Sequence, residues 1–257
     1  FRLEGPVAGR KDLSFGLSGR RSYIDVLLPL ATSVVGGPDA SIQPIYWDYQ
    51  ARLDYKKGGT RAGVRMYGYD DVLVLAATDD DEARRNGEPP GLGIHGGVHR
   101  LVADGRTKLS KALELKGLVF LGYQFTGGEF GEDIYWDAGI YELGIRSDVK
   151  YQFSKQTHLT TGIDLGFQNL GLETQLPVFG GFECSFPGGA LTEDLGVVKT
   201  DESDRGAGYG VHTTLRTRLF NRLTLLPGIR FDAYVWEGQR RYSLEPRLQA
   251  RLMLAPK

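Results

Sequence analysis

The sequence has few of the features by which many protein classes are recognised. It contains one cysteine, Cys184, among 257 residues, so no disulfide can form within the chain. Its longest apolar runs are short stretches such as Val72 to Ala77, well below the roughly 18 to 20 residues that a membrane-spanning helix needs. A helical membrane protein is therefore excluded. The formal net charge of -1 gives no support to nucleic-acid binding.

Bulk composition does not decide the class of protein. The mean hydropathy is -0.27 and 41% of residues are hydrophobic, values that an ordinary soluble protein would also have. The strands of a membrane β-barrel alternate between lipid-facing and lumen-facing residues, so their hydropathy averages out over any window. The 36 glycines and 13 tyrosines are the conspicuous excesses. The class must therefore be inferred from the order of the residues.

Alternation of apolar and polar residues is the main signal. Between residues 45 and 56, apolar or aromatic side chains alternate with polar ones, and the pattern returns at 141–153 and 242–254. Such a period of two predicts strands with one apolar and one charged face. Further strands are predicted at about 13–24, 60–71, 111–125, 157–169, 208–219 and 223–236, with weaker ones at 1–7 and 93–103. The total is about eleven strands.

The connections alternate between short and long. Short turns are predicted at 9–12, 57–59, 104–106, 154–156 and 221–222, with another short connection at 237–239. Long polar loops are predicted at 25–44, 72–92, 126–139 and 171–207. Short periplasmic turns and long extracellular loops are typical of outer-membrane barrels, whereas a soluble meander has no reason for this asymmetry.

Aromatic residues and prolines refine this prediction. Aromatic rings fall on the proposed lipid-facing side, mostly near strand ends, as expected for the aromatic girdles of a membrane barrel. They are Tyr23, Trp47, Tyr123, Phe125, Tyr141, Tyr151, Phe153, Phe167, Phe231 and Tyr242. Pro227 and Pro246 lie inside predicted strands, where proline removes a hydrogen-bond donor, and we expect a β-bulge at each.

Four segments carry a resemblance to a known family. They are Arg2 to Val7 (RLEGPV), Leu13 to Asp25 (LSFGLSGRRSYID), Leu225 to Asp232 (LLPGIRFD) and Ser243 to Leu248 (SLEPRL). In order and character they resemble barrel strands of TonB-dependent outer-membrane receptors, in which the first two follow the plug domain. The resemblance implies an antiparallel transmembrane β-barrel of the type with 22 strands. Nothing in the sequence resembles a plug domain or a TonB box.

The resemblance also implies a function. We expect residues 1–257 to form one outer-membrane barrel domain that is incomplete, either as part of a receptor barrel or as a separate chain that completes one. The implied function is energised uptake of a scarce bulky solute, with lipid, a plug or barrel-completing chain and the TonB system as partners, and with no nucleic acid bound. A passive porin-like barrel or a structural barrel subunit is the alternative, and a soluble binding barrel is a third.

The charged face is predicted to line the lumen. Its candidate lining residues are Arg20, Arg52, Arg61, Arg65, Glu114, Glu142, Arg146, Asp164, Arg216, Arg230, Asp232 and Arg247. Opposite charges on neighbouring strands can pair and hold the wall rigid. Alternatively, the same residues line a watery path or hold a plug. Both interpretations predict a polar, hydrated interior.

No residue set predicts catalysis, a metal or a cofactor. Gly91 to Gly96 fits a dinucleotide-binding glycine pattern, but prolines precede it and a strand rather than a helix follows. His95 and His99 are four apart, which on a strand separates them by roughly 13 Å, too far for one metal ion. The acidic run at 79–82 resembles a solvated surface more than a calcium site, and Cys184 has no basic neighbour in sequence that would activate it. The chain is therefore predicted not to be an enzyme.

Overall fold

The computed structural model describes residues 1–24, 27, 40–77, 92–130, 134–177, 197–220 and 222–254. Within these segments the chain forms eleven β-strands. They are β1 (Arg2–Pro6), β2 (Leu13–Arg21), β3 (Ala40–Lys57), β4 (Thr60–Ala77), β5 (Leu92–Lys108), β6 (Leu113–Phe130), β7 (Ile134–Gln152), β8 (Thr157–Pro177), β9 (Val197–Leu219), β10 (Leu223–Trp236) and β11 (Gln239–Leu252). The predicted number and order of strands are confirmed. No helix in these segments has the length and apolar character that a membrane span requires.

The strands form one antiparallel sheet in chain order. Each strand pairs with the next, from β1 beside β2 to β10 beside β11. In the described part of the chain β1 and β11 do not pair with each other, so the sheet is open. The predicted all-β antiparallel fold is confirmed.

Several strands extend further than the sequence predicts. β8 and β9 pair from Thr157↔Thr217 up to Pro177↔Val197, far into the predicted loop at 171–207. Strand residues also occupy 40–44 and 72–77, as well as 126–130 and 134–139, so the predicted loop bounds were wrong there. Backbone pairing by itself does not require an apolar face, so a strand can continue through segments that show no alternation. The acidic run at 79–82 and Cys184 lie outside the described residues.

One predicted turn was also wrong. Residues 104–106 lie inside β5, paired with 116–118 of β6, and the chain turns at 109–112 instead. The Asp104-Gly105 dipeptide is a common turn signal. Here the Asp104 carboxylate forms an ion pair with Arg65 on the neighbouring β4. A contact between strands thus overrides the local preference.

Two tight turns have the backbone geometry that hairpins require. Glu237 and Gly238 join β10 to β11 with φ values of +46° and +77°, and two consecutive positive φ values match the twist of paired strands. Gly58 has a φ of +56° between β3 and β4, a conformation that glycine adopts without a steric penalty. Both turns lie where the sequence predicts short connections.

The predicted proline bulges are absent from the described ladder. β10 and β11 keep one register from Leu223↔Leu252 to Trp236↔Gln239, with Pro227 opposite Leu248 and Pro246 opposite Ile229. The pairing of β10 with β9 is interrupted at Leu226 and Pro227 and resumes without a change of register. Proline therefore removes local hydrogen bonds without inserting an extra residue.

The sheet has no hydrophobic core of its own. None of the large side chains in the described segments is fully buried, and many large apolar ones are exposed, including Leu248 at 74% and Tyr242 at 65%. A sheet of a soluble domain buries its apolar face against a second layer. Here that face has no second layer within the described residues, and it needs an apolar environment outside the chain.

Candidate functional site

The register assigns every strand residue to one of two faces. Residues directly opposite each other on paired strands point to the same side of a sheet. The row Leu53↔Val64↔Ala103↔Val119↔Ile145↔Leu165↔Tyr209↔Ala233↔Tyr242 crosses nine strands and is apolar or aromatic throughout. We call this side the apolar face and the opposite side the charged face. The alternation predicted from the sequence thus continues coherently from strand to strand.

All twelve predicted lining residues lie on the charged face. In the register, Arg20 lies opposite Asp48, Arg52 opposite Arg65, and Arg146 opposite Asp164. Further opposite pairs place the other predicted lining residues on the same side. The others are Arg61, Glu114, Glu142, Arg216, Arg230, Asp232 and Arg247. That this face lines a lumen remains a prediction, because the described sheet is open.

One charge cluster spans β7 to β10. Asp164 accepts hydrogen bonds from Arg146 and from Arg230 Nη1, the latter at 2.6 Å. Arg230 also donates to both carboxylate oxygens of Asp232, which is only 4% exposed. His212 Nε2 lies 3.2 Å from Asp148 at the edge of the same cluster. Arg146 on β7, Asp164 on β8, and Arg230 and Asp232 on β10 are therefore joined across the intervening β9, although the sequence shows only their common face.

A second cluster lies on β1 to β5. Arg52 contacts Glu4 at 3.1 Å, and Asp54 lies 3.6 Å from Arg65. Arg65 also pairs with Asp104. In the middle of the face, Arg100 donates to Glu142 at 2.9 Å, and Gln168 donates to the other oxygen of the same carboxylate. These contacts show the cross-strand pairing that the first interpretation of the charged face predicts.

Some predicted lining residues are not brought into such clusters. Among the described residues, Arg20 forms an ion pair with Asp48 alone and Arg247 with Glu245 alone, on its own strand. Glu114 lies 3.9 Å from Lys116 on its own strand and 4.0 Å from Arg106. Arg61 and Arg216 have no ion pair among the residues that the structure describes. The charged face thus carries connected clusters of ion pairs at β1 to β5 and at β7 to β10, with isolated pairs and single arginines between and beside them.

A ladder of rings crosses the apolar face near the middle of β3, β5, β6 and β7. Tyr49, His99, Tyr123 and Tyr141 lie in one register row, with ring centroids 6.0, 6.4 and 4.4 Å apart in turn. His99 Nδ1 and the Tyr49 hydroxyl are 2.8 Å apart. An aromatic row above an apolar band fits the girdle of a membrane interface. From the sequence His99 was considered only as a metal ligand, although its place in the alternation of β5 puts it on the same face as the aromatic rings.

His95 and His99 point to the same face but have different partners. His99 Nε2 lies 3.2 Å from Asp70, and His95 Nε2 lies 3.2 Å from Asp137. Both histidines are in strand β5, as predicted, so the glycine pattern at 91–96 leads into a strand. Within the described segments, no three His, Cys, Asp or Glu side chains are grouped as metal ligands.

Comparison with solved structures identifies the fold. No family model and no curated protein matches the chain. The FpvAI–pyocin S2 complex matches with a TM-score of 0.70, 12% identity, and coverage of 99% of this chain and 39% of that one. The ferric preacinetobactin receptor BauA from Acinetobacter baumannii matches at TM-score 0.63 and 9% identity, covering 99% and 42%. The iron transporter FrpB from Neisseria meningitidis matches at TM-score 0.61 and 12% identity, covering 96% and 40%.

This is the fold of a TonB-dependent receptor barrel. The neighbours confirm the predicted resemblance and fold class, and their outer-membrane location agrees with the location predicted here. They are named as receptors and transporters, which fits the prediction that the chain is not an enzyme. The chain spans about two fifths of the length of these neighbours, namely 39%, 42% and 40%.

Proposed function

We propose that the chain forms part of the wall of an outer-membrane β-barrel that takes up a scarce, bulky solute with energy from the TonB system. One observation carries the proposal: a single sheet of long strands has an exposed apolar face backed by a charged one. Lipid covers the apolar face of such a sheet, and water or another protein segment covers the charged face. The strands β3 to β11 have 14 to 23 residues, more than the roughly 9 to 11 needed to cross a bilayer.

The open sheet supports a larger barrel. Unpaired backbone groups on β1 and β11 would each cost several kcal/mol inside lipid, because no water is present there to accept or donate a hydrogen bond. Pairing with further strands removes that cost and closes the barrel. A receptor barrel of the type with 22 strands supplies such partners. Under this proposal the charged face lines the lumen, where a plug segment is also housed.

The names of the neighbours favour a metal chelate as the solute. BauA is named as a ferric preacinetobactin receptor, FrpB as an iron transporter and OprC as a copper transporter. Chelates of scarce metals are dilute and bulky, so their uptake suits an energised receptor better than an open pore. The charged face carries both signs of charge, and many of these charges pair with each other. The face therefore does not specify which chelate binds, and we assign that specificity to the long loops.

Uptake by a deletion strain tests the proposal. The strain should lose growth on one ferric or cupric chelate as the sole metal source, and the intact gene should restore it. Inactivation of the TonB system in the restored strain should abolish uptake of the labelled chelate. Uptake that persists without TonB and falls smoothly with solute size would identify a passive porin-like barrel instead. A chain that remains folded and monomeric without detergent would contradict both membrane functions.

A further inference from the structure

Three arginines meet at the turn end of the charged face. Arg218 on β9 and Arg251 on β11 both lie level with Thr224 on β10, and Arg216 lies two residues before Arg218 on the same face. A cavity of about 670 Å³ is lined by all three arginines together with Leu226 and others. We call Arg216, Arg218 and Arg251 the arginine site. It is distinct from the paired cluster around Asp164.

The arginine site has no counter-charge among the described residues. None of its three guanidinium groups forms an ion pair there, whereas Arg146 and Arg230 on the same face both bind Asp164. Thr224, which lies between Arg218 and Arg251, is only 8% exposed and carries no charge. Like charges that lie close together repel one another. Three arginines held together without an acid therefore favour an anionic ligand.

The geometry limits what that anion can be. The arginines point to the charged face, which in the proposed barrel faces away from lipid and its phosphates. The cavity of about 670 Å³ falls within the roughly 300 to 1,000 Å³ of pockets that hold organic ligands, more than one inorganic ion fills. Arg216 and Arg218 are separated by about 6.6 Å along β9, which is also the spacing of alternate side chains in an extended peptide.

We propose that the arginine site binds an extended acidic peptide segment that has carboxylates at alternate positions. Guanidinium groups bind carboxylates through two parallel hydrogen bonds, so Arg216 and Arg218 can each hold one carboxylate of such a segment. Arg251 faces the segment from two strands away, and Leu226 and Met253 provide an apolar floor in the same cavity. The inference rests on the proposed function in one respect: the charged face must line the inside of the barrel, where a peptide segment can reach it.

Binding of a fluorescein-labelled hexaglutamate peptide to the full chain in detergent micelles tests the inference. Fluorescence anisotropy at low ionic strength should show saturable binding. The triple variant Arg216→Gln, Arg218→Gln, Arg251→Gln should bind about tenfold or more weakly, because it removes three charge-assisted contacts. The matched control is Lys199→Gln, Arg205→Gln, Arg240→Gln, which removes three charges from the apolar side and should change the Kd by less than about twofold.

A second triple variant separates binding from folding. Replacing each arginine of the site by lysine keeps the charge and loses the paired hydrogen bonds, so its Kd should fall between those of the wild type and the glutamine variant. Equal circular dichroism spectra and equal resistance to SDS before heating show that all variants are folded.

Three results would overturn the inference. The first is no binding by the wild type, and the second is equal weakening of binding in the control and the glutamine variant. The third is full displacement of the peptide by inorganic phosphate under conditions in which sodium chloride of equal ionic strength displaces no peptide. The last result would show a site for small anions only. Insertion of the chain into lipid vesicles is measured separately. A chain that binds the peptide and does not insert contradicts the proposed function and leaves this inference standing.

Discussion

Placing an arginine at Ile145 tests whether the apolar face contacts lipid. Ile145 lies opposite Val119 and Leu165 on that face, four residues along β7 from the ring of Tyr141. A bilayer crossing takes about 9 to 11 residues, so Ile145 lies near the midplane if Tyr141 marks an interface. An arginine at the midplane of a barrel costs about 2 to 4 kcal/mol. The guanidinium loses its water there and gains no partner.

The neighbouring residue provides the matched control. Arg146 points to the charged face, its side chain is 62% exposed, and its partner Asp164 keeps a second contact with Arg230 at 2.6 Å. Arg146→Gln should therefore cost only about 0 to 1 kcal/mol, as exposed ion pairs do. The expected difference between the two variants is about 1 to 4 kcal/mol.

A second pair of variants tests how the cost of an arginine depends on its depth in the bilayer. Leu115 lies opposite Thr107 and Val149 on the apolar face, eight residues along β6 from Tyr123 and close to the other end of a crossing. Leu115→Arg should therefore cost less than Ile145→Arg, since the penalty falls to about 0 to 1 kcal/mol near an interface. Lys116→Gln, on the charged face, is its control.

Reversible unfolding in urea, with the chain folded into lipid vesicles and followed by tryptophan fluorescence, measures all four variants. Equal losses for Ile145→Arg and Arg146→Gln would refute the assignment of the two faces. A larger loss for Arg146→Gln would show instead that the charge cluster, rather than lipid contact, dominates the stability of the wall.

Two further predictions concern the ends of the strands. Cys184→Ser first removes the native thiol. In that background, Asp201→Cys should react with an impermeant maleimide in intact cells, whereas Gly58→Cys should react only after the outer membrane is opened. The reverse pattern would mean that the strands have the opposite orientation in the membrane. In the β1–β2 turn, the hydrogen bond from Arg10 lowers the pKa of Asp12 to about 2 from its ordinary 3.8. Its stabilising effect is present above the ordinary pKa and is lost as pH falls through about 2, so a carboxyl titration by NMR in Arg10→Gln should show a pKa nearer 3.8.

The strand pattern could be predicted because two different surroundings act on the two faces. Ile45 to Lys56 alternates since lipid requires one side to be apolar while the other stays hydrated. Toward the loop ends of β8 and β9, pairs such as Glu173↔Asp201 put charged side chains on the face that is apolar elsewhere, and they leave no period in the sequence. The ends of β8 and β9 were therefore predicted as loop.

The pairing of charges could not be predicted from one strand at a time. The sequence places Arg146 and Arg230 on one face, but their shared contact with Asp164 depends on the register of four strands. The turn predicted at 104–106 fails for the same reason, because Asp104 belongs to a contact with Arg65 that is 39 residues away in sequence. Local signals determine the faces, and register determines the partners.

Glycines on the charged face make room for this network, which gives a last prediction. A Cβ added at Gly210 would lie 2.5 Å from Arg230 Nη2 and 2.8 Å from an oxygen of Asp232, whereas nothing lies within 4 Å of one added at Gly166. Arg230 could move away only by losing Asp164 or Asp232, so Gly210→Ala should destabilise the chain by about 1 to 2 kcal/mol. Gly166→Ala, on the same face of the adjacent strand, should stabilise it by about 0.5 to 1 kcal/mol because alanine loses less backbone entropy on folding. The same urea unfolding in vesicles measures both, and a gain in stability from both substitutions would mean that the Arg230 cluster does not constrain the wall.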